Sequence, residues 1–127
     1  MKHQKPVPTD LELEILKVIW QRGEATVRQV YNDIRERREI AYTTVLTMMG
    51  VLERKSHLKK EAGERAYIYR PTRPQDEVVH SMVTDFVGRV FNGSAKNLMV
   101  HLVEDRGTPP EDLDEIETLV RDKRRRR

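Results

Sequence analysis

The chain has 127 residues, of which 35% are charged and 37% hydrophobic, and its net charge is +3. An average globular chain has roughly 25% charged residues, so this composition predicts thin elements or a core completed by association. The absence of cysteine excludes a disulfide framework, a thiolate metal site and a cysteine nucleophile. No apolar run approaches the ~20 residues of a membrane span, so we expect a cytoplasmic protein without membrane insertion.

The charge is unevenly distributed along the chain. Residues 1–74 carry 15 basic and 10 acidic side chains, whereas residues 75–120 carry 3 and 10. The last seven residues carry 6 basic side chains and 1 acidic one. A basic front half joined to an acidic back half predicts two units with different partners, and only the front half suits a polyanion.

Three helices are predicted in the front half. Thr9 and Glu12 form a capping box at the start of the first, and Thr26 and Gln29 form another at the start of the second. The third helix is expected from Tyr42 to Lys55, and the apolar residues of all three recur at helical spacing. The first helix is apolar around so wide an arc that we expect it at the centre of a small domain.

A hairpin follows the helices. Leu58–Glu61 and Arg65–Arg70 are short extended runs, and Ala62-Gly63 between them supplies the turn. Pro71 and Pro74 then mark a linker. Three helices followed by a hairpin is the element order of a winged helix-turn-helix domain.

Tyr67 and Tyr69 lie on one side of the second strand, in step with Arg65. They could form a platform on which bases stack, or they could pack across the hairpin onto the first helix. We favour packing, because proteins that read duplexes do not need exposed aromatic rings.

The outer face of the third helix is the most informative feature, because it lacks charge. Between Tyr42 and Leu52 there is no charged residue, although a solvated helix face is usually rich in them. An exposed glycine inside a helix also costs up to ~1 kcal/mol relative to alanine. The face consists of Thr43, Thr44, Leu46, Thr47, Gly50 and Val51. Such a surface suits a DNA major groove, where threonines and aliphatic groups contact base edges and thymine methyls; the alternative is a second buried face.

Basic residues surround this face. Phosphate contacts supply most sequence-independent affinity for DNA, and they come from cations beside the reading element. Arg35, Arg37 and Arg38 stand at the end of the second helix. The residues predicted to contact phosphates from the third helix and the wing are Arg54, Lys55, Lys59, Lys60 and Arg65.

The back half contains three helical patterns with apolar stripes, the last opened by a capping box at Thr108. A unit of residues 75–120 is close to the ~40-residue size below which chains seldom fold alone. A second copy is the simplest partner for the stripes, although docking onto the front half is an alternative. The residues predicted to form the dimer interface are Val79, Met82, Val83, Phe86, Val87, Val90, Leu98, Leu102, Leu113, Ile116 and Val120.

Catalytic motifs are absent from the sequence. The four histidines are scattered, no pair has the spacing of a helical metal site, and there is no glycine-rich phosphate loop. We therefore expect neither an enzyme nor a bound metal or cofactor.

Four segments resemble the penicillinase and methicillin-resistance repressors of the BlaI and MecI type, with its copper-responsive CopY branch. The resemblance runs from about Pro8 to Lys123. The segments that carry it are Leu13 to Trp20, Ala41-Tyr42-Thr43-Thr44-Val45-Leu46-Thr47-Met48-Met49, Lys59-Lys60 to Tyr67, and Phe91-Asn92-Gly93-Ser94. The Tyr-Thr-Thr-Val run is the most specific of them.

The resemblance implies a homodimeric winged-helix repressor that occupies an inverted-repeat operator until an inducing signal arrives. In the family the third helix reads the major groove, which corresponds here to Thr43, Thr44, Leu46 and Thr47. A sensor metallopeptidase that cleaves the dimerisation half is the implied partner, and the matching bond joins His101 and Leu102 where the family has Asn and Phe. Copper sensing is not expected, because that branch uses C-terminal cysteines.

The sequence therefore predicts a mainly α fold with a small β-hairpin wing. A winged helix-turn-helix DNA-binding domain is expected at residues 1–73, a C-terminal three-helix dimerisation domain at 75–123 and a basic tail at 124–127. The expected function is transcriptional repression through an inverted-repeat operator. The alternative is a protein-interaction adaptor that uses a winged-helix fold without binding DNA.

Overall fold

The computed structural model describes residues 7–126, so residues 1–6 of the first predicted domain and Arg127 of the predicted tail lie outside it. The elements are α1 (Asp10–Arg22), α2 (Val27–Arg35), α3 (Tyr42–Arg54), β1 (Leu58–Ala62), β2 (Tyr67–Pro71), α4 (Gln75–Phe91), α5 (Ala95–Glu104) and α6 (Pro110–Arg125). This order confirms the predicted mainly helical fold with a hairpin wing. No helix within residues 7–126 is both long enough and apolar enough to cross a membrane.

The chain forms two compact units, one ending at Val83 and the other beginning at Thr84. The division falls inside α4, because Val78 in the second turn of that helix is buried within the first unit. The domain organisation predicted from the sequence, with boundaries at residues 73 and 75, stays a prediction.

Both predicted capping boxes of the first unit are confirmed. The Thr9 hydroxyl accepts from the amide of Glu12, and the Glu12 carboxylate accepts from the amide of Thr9 at 3.0 Å. Thr26 and Gln29 form the same reciprocal pair at the start of α2. Each box satisfies two backbone donors that the first helical turn leaves without a partner.

The core of the first unit lies between α1, α2, α3 and the base of the hairpin. Ala25 and Tyr69 exchange two backbone hydrogen bonds of 3.0 and 2.8 Å, which attach the segment before α2 to β2. The core side chains, all almost fully buried, are Ile15, Leu16, Val18, Ile19, Ala25, Val27, Val30, Ile34, Val45, Met49, Leu52, Leu58 and Tyr69. The contribution of α1 to this set agrees with its predicted central position.

The hairpin is shifted relative to the prediction. Leu58 pairs with Pro71 and Ala62 with Tyr67, so the turn covers the residues between Ala62 and Tyr67. Arg65, predicted at the start of the second strand, lies in that turn. The turn requires glycine at residue 63, because a Cβ there would lie 2.5 Å from the carbonyl oxygen of Ala66.

The two tyrosines of β2 have different environments. Tyr69 is 4% exposed and belongs to the core, and its burial raises the pKa of its phenol. Tyr67 is 53% exposed, and the ammonium nitrogen of Lys60 lies 4.4 Å from its ring centre. The expectation that both rings pack onto the first helix is therefore wrong for Tyr67. The reason is that only the base of the hairpin meets the core, with Leu58 the one buried residue of β1.

The predicted linker is fixed to the first unit by hydrogen bonds. The indole nitrogen of Trp20 donates to the carbonyl of Arg73 at 3.0 Å. The guanidinium of Arg73 in turn contacts Glu77 at 2.8 Å and the hydroxyl of Ser81 at 3.1 Å. The start of α4 is thereby held against the end of the linker.

The second unit begins within α4 and includes α5 and α6. The Ser94 hydroxyl caps α5 by accepting from the amide of Asn97 at 3.2 Å. The capping box predicted at Thr108 is wrong, because the Thr108 hydroxyl donates to the carbonyl of Leu102 at 2.9 Å and closes the preceding helix instead. Pro109 precedes the first turn of α6, and the helix continues through the first two residues of the predicted basic tail as far as Arg125.

Ser56 has a left-handed backbone conformation, with φ of 66°. This conformation costs a side-chain-bearing residue about 1 kcal/mol relative to glycine. We predict that Ser56→Gly raises the free energy of unfolding by about 1 kcal/mol and the melting temperature by about 4 °C. Ser81→Gly, inside α4, is the matched control and should lower stability, and an equal effect of the two substitutions measured by thermal denaturation would contradict the prediction.

Candidate nucleic-acid interface

The outer face of α3 is exposed. Thr43, Thr44 and Thr47 are open to solvent, and Leu46 is 47% exposed. On the opposite side of the same helix, apolar side chains of the core hold α3 in place. No other element in the described part of the first unit, residues 7–83, covers the exposed face, so α3 presents an uncharged surface of hydroxyl and aliphatic groups.

Gly50 opens a space on this face that Arg54 uses. A terminal nitrogen of the Arg54 guanidinium lies 3.6 Å from the point that a Cβ of Gly50 would occupy. The arginine side chain therefore folds back by one helical turn and brings its charge to the edge of the uncharged surface.

The predicted phosphate contacts differ in their availability. Lys55 is bound to the carboxylate of Glu12 at 2.9 and 3.0 Å, and Glu12 is only 2% exposed. Lys60 lies 3.5 Å from the carboxylate of Glu53. The first pair joins α3 to α1, so the principal contribution of Lys55 in the free chain is to position α3.

Three of the predicted basic residues have no carboxylate partner among residues 7–126, namely Arg54, Lys59 and Arg65. Arg54 is the last residue of α3, and Lys59 and Arg65 belong to the hairpin that follows it in the chain. Free guanidinium and ammonium groups are the ones ready to bind phosphate oxygens.

The basic residues around α2 are largely neutralised. Arg37 and Arg38 both contact the carboxylate of Glu14, at 3.6 and 3.1 Å. Arg22 binds Asp33 through two hydrogen bonds of 2.8 Å, which lower the pKa of that carboxyl. Arg35, the third basic residue predicted at the end of α2, has no ion pair within residues 7–126.

Sequence reasoning missed Arg28. Its guanidinium carbon lies 4.3 Å from the ring centre of Tyr42 at the start of α3. A short spacing along α2 could have linked Arg28 to Tyr31, but the contact with Tyr42 depends on how α2 and α3 pack.

The residues predicted to form the dimer interface expose apolar surface on α4, α5 and α6. Val79, Val83, Phe86, Val90, Leu102, Ile116 and Val120 are exposed, and Met82, Val87, Leu98 and Leu113 are half-buried. Other large apolar side chains that share this exposure are Met99, Val100, Val103 and Leu119. No residue of α5 or α6 is buried within the chain.

Aromatic contacts give the second unit local order. Phe91 lies 5.9 Å from Phe86 and 5.3 Å from His101, measured between ring centres. His101 and Leu102, the pair that corresponds to the family's cleavage position, are both exposed on α5. The described residues contain no cluster of three or more side chains able to hold a metal ion.

Comparison with known sequences gives consistent matches over most of the chain. The family model described as penicillinase repressor matches residues 8–122. The transcriptional regulator BlaI of Mycobacterium tuberculosis is 35% identical over 114 residues, which cover 88% of this chain and 79% of that protein. The penicillinase repressor of Bacillus licheniformis is 22% identical over 122 residues, covering 96% and 95% of the two chains.

Two solved structures resemble part of the chain. The solution structure of the Bacillus licheniformis BlaI monomeric form in complex with the blaP half-operator has a TM-score of 0.51 and 26% identity, and covers 58% of this chain and 90% of that one. The DNA binding domain of the repressor BlaI has a TM-score of 0.53 and 25% identity, with 60% and 93% coverage. These matches confirm the resemblance drawn from the sequence, and the chain belongs to the penicillinase repressor family.

Proposed function

We propose that this protein is a DNA-binding transcriptional repressor that inserts α3 into the major groove of an operator. The observation that carries the proposal is the exposed, uncharged outer face of α3. The family to which the chain belongs is described as penicillinase repressor, which supports a regulatory role. The function is therefore regulatory, and its place is the cytoplasm, where bacterial chromosomal DNA lies.

The chemistry of the face fits base edges. Threonine hydroxyls donate to or accept from either base pair, and the methyl groups of threonine and Leu46 can contact thymine methyls. Covering exposed aliphatic surface with the walls of the groove is favourable. Charged side chains at the same positions would lose their hydration, which costs free energy. This combination favours insertion over solvation.

The basic residues supply the sequence-independent part of the affinity. Arg54, Lys59 and Arg65 break no ion pair when they bind phosphates, because they have no carboxylate partner within residues 7–126. Lys60 would exchange Glu53 for a phosphate, and Lys55 stays with Glu12, whose carboxylate would otherwise be buried without a counterion. A solved relative with a similar fold was determined with a half-operator, which supports the same use of this domain.

We propose further that a second copy covers the apolar side chains of α4, α5 and α6. Eleven large apolar side chains are exposed on these three helices, far more than isolated surface residues would account for. Twofold symmetry would place two α3 helices about one DNA turn apart, roughly 34 Å, so the operator should be an inverted repeat.

We also propose that proteolysis releases the repressor from its operator. A sensor metallopeptidase is the proposed partner, acting on the second unit near His101 and Leu102. Both residues lie within α5, so a protease that cuts there must first unwind this helix, because peptidases bind extended backbone. Loss of α5 would remove apolar surface from the dimer contact and weaken binding of both half-sites together.

We predict that Thr47→Glu weakens DNA binding by about 30-fold or more, because it puts a carboxylate against the negatively charged groove. The ligand is a fluorescent duplex of about 30 base pairs, enriched by this protein from a random pool, and the measurement is fluorescence anisotropy. Gln21→Glu on the exposed end of α1 adds the same charge elsewhere and should cost less than about 3-fold. Equal affinities of the two variants would contradict insertion of α3, whereas failure of the unsubstituted chain to enrich any duplex would favour the adaptor alternative.

We predict that the chain sediments as a dimer of 15.0 kDa protomers at micromolar concentration and that Phe86→Glu converts it to monomers, because a carboxylate cannot be buried in an apolar contact without a partner. Lys96→Glu, on the exposed start of α5, is the control that should stay dimeric. A single 15.0 kDa species for the unsubstituted chain would refute the dimer.

A further inference from the structure

Two arginines of α2 rest against a pair of tyrosine rings, one from α2 itself and one from the start of α3. The rings of Tyr31 and Tyr42 meet edge to face, with centres 5.4 Å apart. The guanidinium carbon of Arg28 lies 4.3 Å from the centre of Tyr42 and 5.7 Å from that of Tyr31. The guanidinium carbon of Arg35 lies 5.2 Å from the centre of Tyr31. We call these four residues the arginine–tyrosine cluster.

The two guanidinium groups of this cluster carry free charge. Neither Arg28 nor Arg35 has a carboxylate within ion-pair distance among residues 7–126, whereas Arg22, Arg37 and Arg38 all do. A guanidinium held over an aromatic ring keeps the N–H groups at its edge available. The stacking also limits the rotamers that the side chain must give up when it binds an anion. The cluster therefore presents two oriented cations whose donors lack an acidic partner.

The position of the cluster complements that of the wing cations. Arg28 meets α3 at Tyr42, its first residue, whereas Arg54 is its last residue and Lys59 and Arg65 follow in the hairpin. The 13 residues of α3 span roughly 20 Å, and the major groove is roughly 12 Å wide. A helix longer than the groove is wide brings its two ends near the two phosphate backbones. Each end of α3 thus has its own set of unpaired cations.

We propose that Arg28 and Arg35 bind DNA phosphates on the backbone opposite the one contacted by Arg54, Lys59 and Arg65. The inference rests on the proposed function, because it assumes that α3 occupies the groove. The cluster binds one phosphate backbone near the start of α3, and Arg54 and the wing bind the other backbone near its end. Because such contacts go to phosphates, they fix the depth and angle of α3 and carry no base preference themselves.

The test measures how affinity depends on salt. A fluorescent 30-base-pair duplex of random sequence is titrated between 50 and 200 mM salt with the full chain, because each phosphate contact adds about 0.9 to the slope of log affinity against log salt. Arg28→Gln and Arg35→Gln should each reduce that slope by about 1 and weaken binding by roughly 5- to 10-fold. Arg28→Lys, which keeps the charge, should keep most of the slope.

Arg37→Gln is the matched control, since it removes the same charge near the same helix but from a residue already paired with Glu14. It should leave the slope unchanged and weaken binding less than about 2-fold. Thermal denaturation of each variant checks that the fold is intact. Slopes for Arg28→Gln and Arg35→Gln equal to that of Arg37→Gln would overturn the phosphate contacts of the cluster while leaving the proposed function in place. Failure of the unsubstituted chain to bind any duplex would instead overturn the proposed function.

Discussion

The packing of one side of α3 into the core determines what the rest of the first unit can do. Val45, Met49 and Leu52 are fully buried, so rotation of α3 about its axis would expose apolar surface and bury threonine hydroxyls without partners. The ion pair between Lys55 and the buried carboxylate of Glu12 adds a second constraint at the end of the helix. Both constraints act on the buried side of α3. The outer face is therefore not needed to hold the helix in place, and it can remain uncharged and exposed.

Electrostatics then separates the basic residues into two groups. Those paired with carboxylates, such as Arg22, Arg37 and Arg38, connect helices to one another and contribute little to an external field. Those without partners include Arg28, which contacts the start of α3, and Arg54, at its end. When such a surface binds duplex DNA, its uncharged part faces the bases and its cations face the phosphate backbones. In helices that read duplex DNA, the phosphate contacts supply most of the affinity and the base contacts supply the specificity.

The helices and their starts could be predicted from sequence because their signals are local. Threonine and a glutamate or glutamine three residues later fixed two helix starts, and apolar spacing identified the buried sides. Thr108 carried the same signal but bonds back to Leu102, since a hydroxyl can cap the end of one helix as readily as the start of the next.

Other features depend on contacts that no local pattern contains. Glu12 and Lys55 are 43 residues apart, and the sequence shows the first as a helix-capping residue and the second as a candidate phosphate contact, with no sign that they pair. Tyr67 and Tyr69 lie on the same face of β2, but Tyr69 is buried and Tyr67 is exposed, because the core ends between them. Arg28 became a candidate only when the packing of α2 against α3 placed it beside Tyr42.

The central claim is that the outer face of α3 lies against DNA bases. Amide chemical shifts of the isotope-labelled full chain, recorded by NMR during titration with the enriched duplex, test it most directly. The account predicts that the largest shifts fall on Thr43, Thr44, Leu46 and Thr47, with smaller ones in the hairpin. Large shifts confined to α5 and α6, with those four amides unmoved at saturation, would contradict it.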